Sequence, residues 1–135
     1  MKYLLFLLLL IASVSEAQIL NAYAKVTALG SGNTILSVSN VNQTSHTFNV
    51  GEKVVVMQMQ DDVIGGNTAN NAAFGNLGAI AGAGYYEIRT ISARAPATGA
   101  PAAITLSSAL SNSFNIGPNS SIQVISFRNL GLNYT

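Results

Sequence analysis

The sequence contains no cysteine and a single histidine, His46. Without cysteine there is no disulfide framework, so stability must come from an apolar core. The histidine lies in a polar stretch, "NQTSHTF", and no G-x-S-x-G elbow accompanies it. A Ser-His-Asp relay therefore finds no support, and His46 is expected as an exposed loop residue. Charge is equally scarce, at 8% of residues with a net of +1. That balance makes no electrostatic footprint for nucleic acid or a membrane surface. Solubility must come from Asn, Ser, Thr and Gln instead. Proline is confined to Pro96, Pro101 and Pro118, and no long segment repeats with helical period.

The N-terminal segment carries a different message. "MKYLLFLLLLIASVSEAQ" has a positive Lys2, an apolar run through residues 4–12, and the small pair Ser15 and Ala17. This is the order of a secretory signal peptide with cleavage after Ala17. The apolar run is about half of the roughly 20 residues that span a bilayer. The expected organisation is a signal peptide at residues 1–17 and one β domain at residues 18–135, exported, with no membrane span in the mature chain. Cleavage removes Lys2 and Glu16, one charge of each sign, so the net charge is unchanged.

The mature chain alternates short β-branched runs with Gly, Asn and Ser turns, the pattern of a small all-β domain. Six strands are expected, at "AYAKVTAL", "TILSV", "KVVVMQMQ", "YYEIRTISA", "AITL" and "SIQVISF". "GSGN" after the first is a hairpin signal. In "KVVVMQMQ" the expected core face is Val55, Met57 and Met59, with Asp61 next in that row and Gln58 and Gln60 outside. An internal repeat links the halves: "LSVS" matches "ITLS", and "FNVG" at Phe48 matches "FNIG" at Phe114. Each unit reads as a strand, a polar excursion, an F-N-[VI]-G corner and a second strand. In the corner, Phe plugs the core, Asn tolerates unusual backbone angles, and Gly permits the turn. Two such units packed about a pseudo-two-fold form a small barrel or compact sandwich, with Phe48 and Phe114 in equivalent buried positions.

Asp61 and Asp62 are adjacent carboxylates where "VVVMQMQ" breaks into "DDVIGG". Paired catalytic carboxylates stand about 5–10 Å apart across a cleft, whereas strand neighbours point to opposite faces. A calcium site needs about six to eight oxygens. Asp61, Asp62, Asn67, Asn70 and Asn71 offer several, without the D-x-D-x-D-G spacing. The plain structural reading gives Asp62 to loop amides and pairs Asp61 with a cation such as Arg89. The loop that follows, to Gly84, is long, neutral and rich in Gly, Ala and Asn. Phe74, Leu77 and Ile80 fall at helical spacing within it, as in a lid over one barrel end. As a ligand loop it would combine Asp61, Asp62, Asn67 and Asn70 with Tyr85 and Tyr86 as a stacking platform for a surface glycan. At least one of those tyrosines is expected in the core.

The phrases "VGEKVVVMQMQDDVIG", "FGNLGAIAGAGYYEIRTI" and "ITLSSAL…SSIQVISF" carry a resemblance. Together they are similar to the N-terminal domain of large, adhesin-like secreted surface proteins of gliding bacteria that use type IX secretion. The resemblance covers nearly all of the mature chain. It implies a non-catalytic, cell-surface β domain followed in the same polypeptide by long repetitive modules and a sorting segment, and it brings no catalytic residues. The sequence ends at "RNLGLNYT", before any such module. The expectation is therefore the N-terminal part of a longer protein, or a periplasmic paralogue without a sorting segment. Its partners would be a downstream β module and the export machinery. Its role would be a cap or spacer needing no cofactor, with a carbohydrate- or calcium-dependent binding module as the alternative.

Overall fold

The computed structural model describes residues 21–61, 70–72 and 81–127. The expected signal peptide and the helical turn expected at Phe74, Leu77 and Ile80 lie outside the described residues. Six strands form: β1 Asn21–Leu29, β2 Ile35–Asn42, β3 Lys53–Asp61, β4 Tyr86–Ala95, β5 Ala103–Leu106 and β6 Ser120–Phe127. They close into a barrel in the order β1-β2-β5-β4-β3-β6, with every pair antiparallel. The fold is thus a barrel and not a sandwich. Among the described residues no helix is long and apolar enough to cross a membrane.

Alternation drives closure. Every second residue of each strand points inward, and in a barrel this narrow those side chains fill the interior. Ala22, Ala24 and Val26 of β1 meet Leu36 and Val38 of β2, Val54 and Val56 of β3, Ile104 and Leu106 of β5, and Ile122 and Val124 of β6. Each fully buried Val, Leu or Ile contributes about 1.5–3 kcal/mol. The first hairpin turns where "GSGN" predicts: Gly32 and Asn33 both take left-handed angles, at φ 60° and 56°.

The repeat is visible in the register. Leu36 pairs with Ile104, flanked by Ile35–Thr105 and Ser37–Ala103. On the opposite wall Val56 pairs with Val124, flanked by Val55–Ile125 and Met57–Gln123. The same sequence offset separates the partners in both central pairs. A pseudo-two-fold axis therefore passes through both, perpendicular to the barrel axis, and exchanges the barrel's ends. Phe48 precedes β3 and serves the end where Lys53 lies. Phe114 precedes β6 and serves the end where Asp61 lies. Both are buried, at 0% and 8% exposure.

The corners work differently from the expectation. Gly51 takes a left-handed φ of 91°, but Gly117 does not, so only the first corner needs glycine's freedom. Neither Asn49 nor Asn115 has a positive φ. Their side chains do the work: Asn49 Nδ2 donates to Glu52 at 3.1 Å, and Asn115 Nδ2 donates to Asp61 at 2.9 Å. Each corner asparagine thus grips a carboxylate of β3 or the turn just before it.

The faces of β3 are also reversed. Val54, Val56 and Gln58 are buried, whereas Met59 is half exposed. Val55 and Met57 face outward, and Gln60 is exposed. The register with β6 slips between Gln58 and Gln60, so Met59 is an extra residue in a β-bulge. The bulge restores the inward phase at Asp61, which is why Gln58 and Asp61 point inward three positions apart.

If the two phenylalanines are equivalent plugs, Phe48→Ala and Phe114→Ala will each lower unfolding free energy by about 3–5 kcal/mol. Urea denaturation of the two variants checks this. A loss below about 1 kcal/mol at one site alone contradicts the equivalence.

Candidate functional site

The Asp61 end of the barrel is built from three buried polar side chains: Gln58, Asp61 and Glu87, at 1%, 3% and 8% exposure. A buried polar group must find partners within the fold. All three find them in the segment that leads into and begins β6, and Asp61 also holds the turn that leads into β4.

Gln58 is the most heavily bonded. Its Nε2 donates to the carbonyls of Gln60 at 2.7 Å, Asn115 at 2.9 Å and Ser121 at 3.3 Å. Its Oε1 accepts the Asn115 amide at 2.8 Å. Its own backbone pairs with Tyr85 and Gly84. Glu87 accepts the amides of Ser111 at 2.8 Å and of Asn112, and forms an ion pair with Arg89. Arg89 Nε donates in turn to the Ala109 carbonyl at 3.0 Å. This holds Leu110 in the core.

Asp61 collects three donors. The Gly82 amide and Asn115 Nδ2 reach Oδ2 at 2.8 and 2.9 Å, and Ser120 Oγ reaches Oδ1 at 2.8 Å. Asp61 is therefore not paired with Arg89, whose partner is Glu87. The Asn115 amide, then the Gly82 N–H and the Ser120 hydroxyl, hold the Asp61 carboxyl below its ordinary 3.8, against the opposing effect of burial. A side chain at Gly82 would come within 3.0 Å of Asp61 Oδ2 and 3.2 Å of the Tyr85 ring, so this close approach requires glycine.

Beside this clamp lies an open depression of about 340 Å³ lined by Asp61, Ala81, Asn115, Pro118, Asn119 and Ser120. Tyr85 packs along Gly82 near it and is 50% exposed. Tyr86 is 58% exposed and belongs elsewhere, on the outer wall opposite Met57. Neighbours in extended backbone point apart, so the two tyrosines form no common platform. Neither is in the core. Asn70 is exposed in a bend. Asp62 and Asn67 lie outside the described residues, so of the expected ligand set the structure brings together Asp61 and Tyr85.

The sequence reading missed Gly82 and Ser120, placed Gln58 on the outer face, and credited Asn115 only with backbone tolerance. One signal was available: Gln58 interrupts the row Val54–Val56–Gln58, a lone amide at a core position. His46 was also misplaced. It is half-buried at the opposite end, and its Nε2 donates to Glu52 at 3.1 Å. Ser126 Oγ donates to the same Glu52 oxygen at 3.4 Å. A nucleophile relay needs the imidazole between hydroxyl and acid. Here the acid stands between the other two, and the cluster is a structural clamp.

The lowered Asp61 pKa has a definite sign. The fold gains stability from the ionised carboxylate above the unfolded value near 3.8 and loses it as pH falls through the lower folded value. Asp61→Asn should therefore melt earlier than the parent at pH 7, with the gap shrinking as pH drops below 3.8. Thermal melts from pH 7 to pH 2 check this, and a gap independent of pH would remove the carboxylate's role. No protein-family model, curated protein or solved structure matches this chain.

Proposed function

We propose that this barrel is a non-catalytic, exported domain that acts as the N-terminal cap or spacer of an adhesin-like surface protein. The observation that supports this is closure. All six strands are paired on both sides, so the barrel offers no open edge to another strand. A terminal unit that adds no unpaired edge of its own gives edge-to-edge aggregation no starting point. The polar groups at both ends point the same way. Gln58, Asp61 and Glu87 at one end, and Glu52 with His46 at the other, spend their hydrogen bonds on the barrel's own loops. The resemblance in "VVVMQMQDD" and "YYEIRTI" supplies the adhesin-like context and the export route.

The alternative, a carbohydrate- or calcium-dependent module, is favoured by one observation. An exposed Tyr85 ring stands beside a depression lined by Asp61, Asn119 and Ser120. An aromatic face with adjacent amide and hydroxyl groups suits a sugar ring.

Titration calorimetry separates the two. The cap reading expects no heat of binding with calcium or with a panel of neutral and acidic oligosaccharides. Micromolar binding that is lost in Tyr85→Ala, with the melting temperature kept, would replace the cap with the binding module.

A further inference from the structure

We infer that the outer wall carries a binding site for a small aromatic monocarboxylate, in a depression between two β-bulges. The inference goes beyond the cap reading and does not rest on it. The depression has a volume of about 310 Å³ and spans four neighbouring strands, β2, β1, β6 and β3. Asn40 stands at one rim and Met59 at the other, with Tyr23 and Lys25 of β1 and Gln123 of β6 between them.

Two interruptions of the ladder shape this wall. Tyr23 pairs with Asn42 and Lys25 with Ser39, so Asn40 and Val41 together face the single residue Ala24. That is a bulge in β2, and Asn40 within it takes a left-handed φ of 50°. The Met59 bulge lies on the far side of β1 and β6. Glycine is the usual residue at a left-handed bulge position, because it has no Cβ. Here the position holds an amide side chain, and that residue lines the depression. Bulges are over-represented beside active sites, where they re-aim a side chain.

Hydrogen bonding separates this depression from the one beside Asp61. There Asp61, Asn115 and Ser120 are already bonded to one another. Here the side chains of Lys25, Asn40 and Gln123 have no hydrogen-bond or ion-pair partner among the described residues. Gln123 is half-buried and pairs in register with Lys25. Directly opposed residues hold their Cβ atoms about 4.5–5.5 Å apart, so one small group reaches both side chains. Tyr23 differs: its hydroxyl accepts Asn42 Nδ2 at 3.1 Å, which holds the half-buried ring in place. A wall fixed before binding lowers the ordering cost of association.

The lining selects the ligand. It holds one cation and two amides and no carboxylate, so it favours a negative group. One lysine neutralises one charge, which suits a carboxylate better than a phosphate of nearly two charges. The Tyr23 ring and the half-exposed Met59 supply contact for a planar apolar body.

Phenylacetate is the probe, titrated into isotope-labelled protein and followed through backbone amide chemical shifts. Acetate carries the charge alone and phenylacetamide the ring alone. The inference expects saturable shifts at Lys25, Asn40 and Gln123, with a Kd for phenylacetate on the order of 1 mM. Acetate and phenylacetamide will each bind roughly tenfold more weakly. Lys25→Met alters an exposed side chain and will weaken phenylacetate about tenfold with the melting temperature kept. Asn40→Gly retains the left-handed backbone, removes the amide, and will weaken binding about threefold. Shifts centred on Tyr85 and Ser120, shifts that do not saturate by about 20 mM, or unchanged affinity in Lys25→Met overturn the site.

Discussion

The side-chain amide of Gln58 is the interaction on which the rest of the Asp61 end depends. It sits at an inward position of β3 with 1% exposure, in a row otherwise made of valine. Leaving such a group unpaired costs about 1–3 kcal/mol for each unmet donor or acceptor. Here every hydrogen-bonding atom is used, and the partners are backbone groups at Gln60, Asn115 and Ser121. Those bonds define where the chain passes over the barrel mouth. Phe114 then falls into the core and Ser120 onto Asp61, and β6 starts in register with both β1 and β3. Closure of the barrel follows from that placement.

The other end solves the same problem with other groups. Under the pseudo-two-fold, Gln58 occupies the place that Ser126 holds in the second half. Both are buried and polar, but Ser126 is too short to clamp a loop by itself. Glu52 takes over, receiving His46, Asn49 and Ser126. The repeat therefore preserves a device, a corner asparagine on a carboxylate beneath a phenylalanine plug, and not a set of identical contacts. The repeat sets the strands and plugs, while each end has its own polar seal.

The strands were legible because alternation and turn residues are local signals. "GSGN" and the matched "FNVG" and "FNIG" corners needed no tertiary information. The inward face of β3 was not legible, because a bulge at Met59 changes the phase and both possible faces contain valine. Apolar content favoured methionine inside, and hydrogen-bond demand placed Gln58 there instead. The Asp61 clamp was hidden for a related reason: its donors, Gly82, Asn115 and Ser120, are distant in sequence and individually common. The tyrosine pair was misjudged because an apolar ring reads as core wherever it occurs. Tyr86 instead lies on the outer wall beside Met57, a placement that only the strand register reveals.

Two polar seals keep the ends of the barrel closed with internal bonds. Both depend on β6 lying between β1 and β3, and hence on the Gln58 clamp. Hydrogen exchange at the Asn115 amide tests that clamp most directly, since this N–H is held by the Gln58 side chain. The account predicts protection close to that of the central strand amides of Val56 and Val124, lost selectively in Gln58→Ala. Exchange of Asn115 at the rate of an open loop in the parent protein would contradict it.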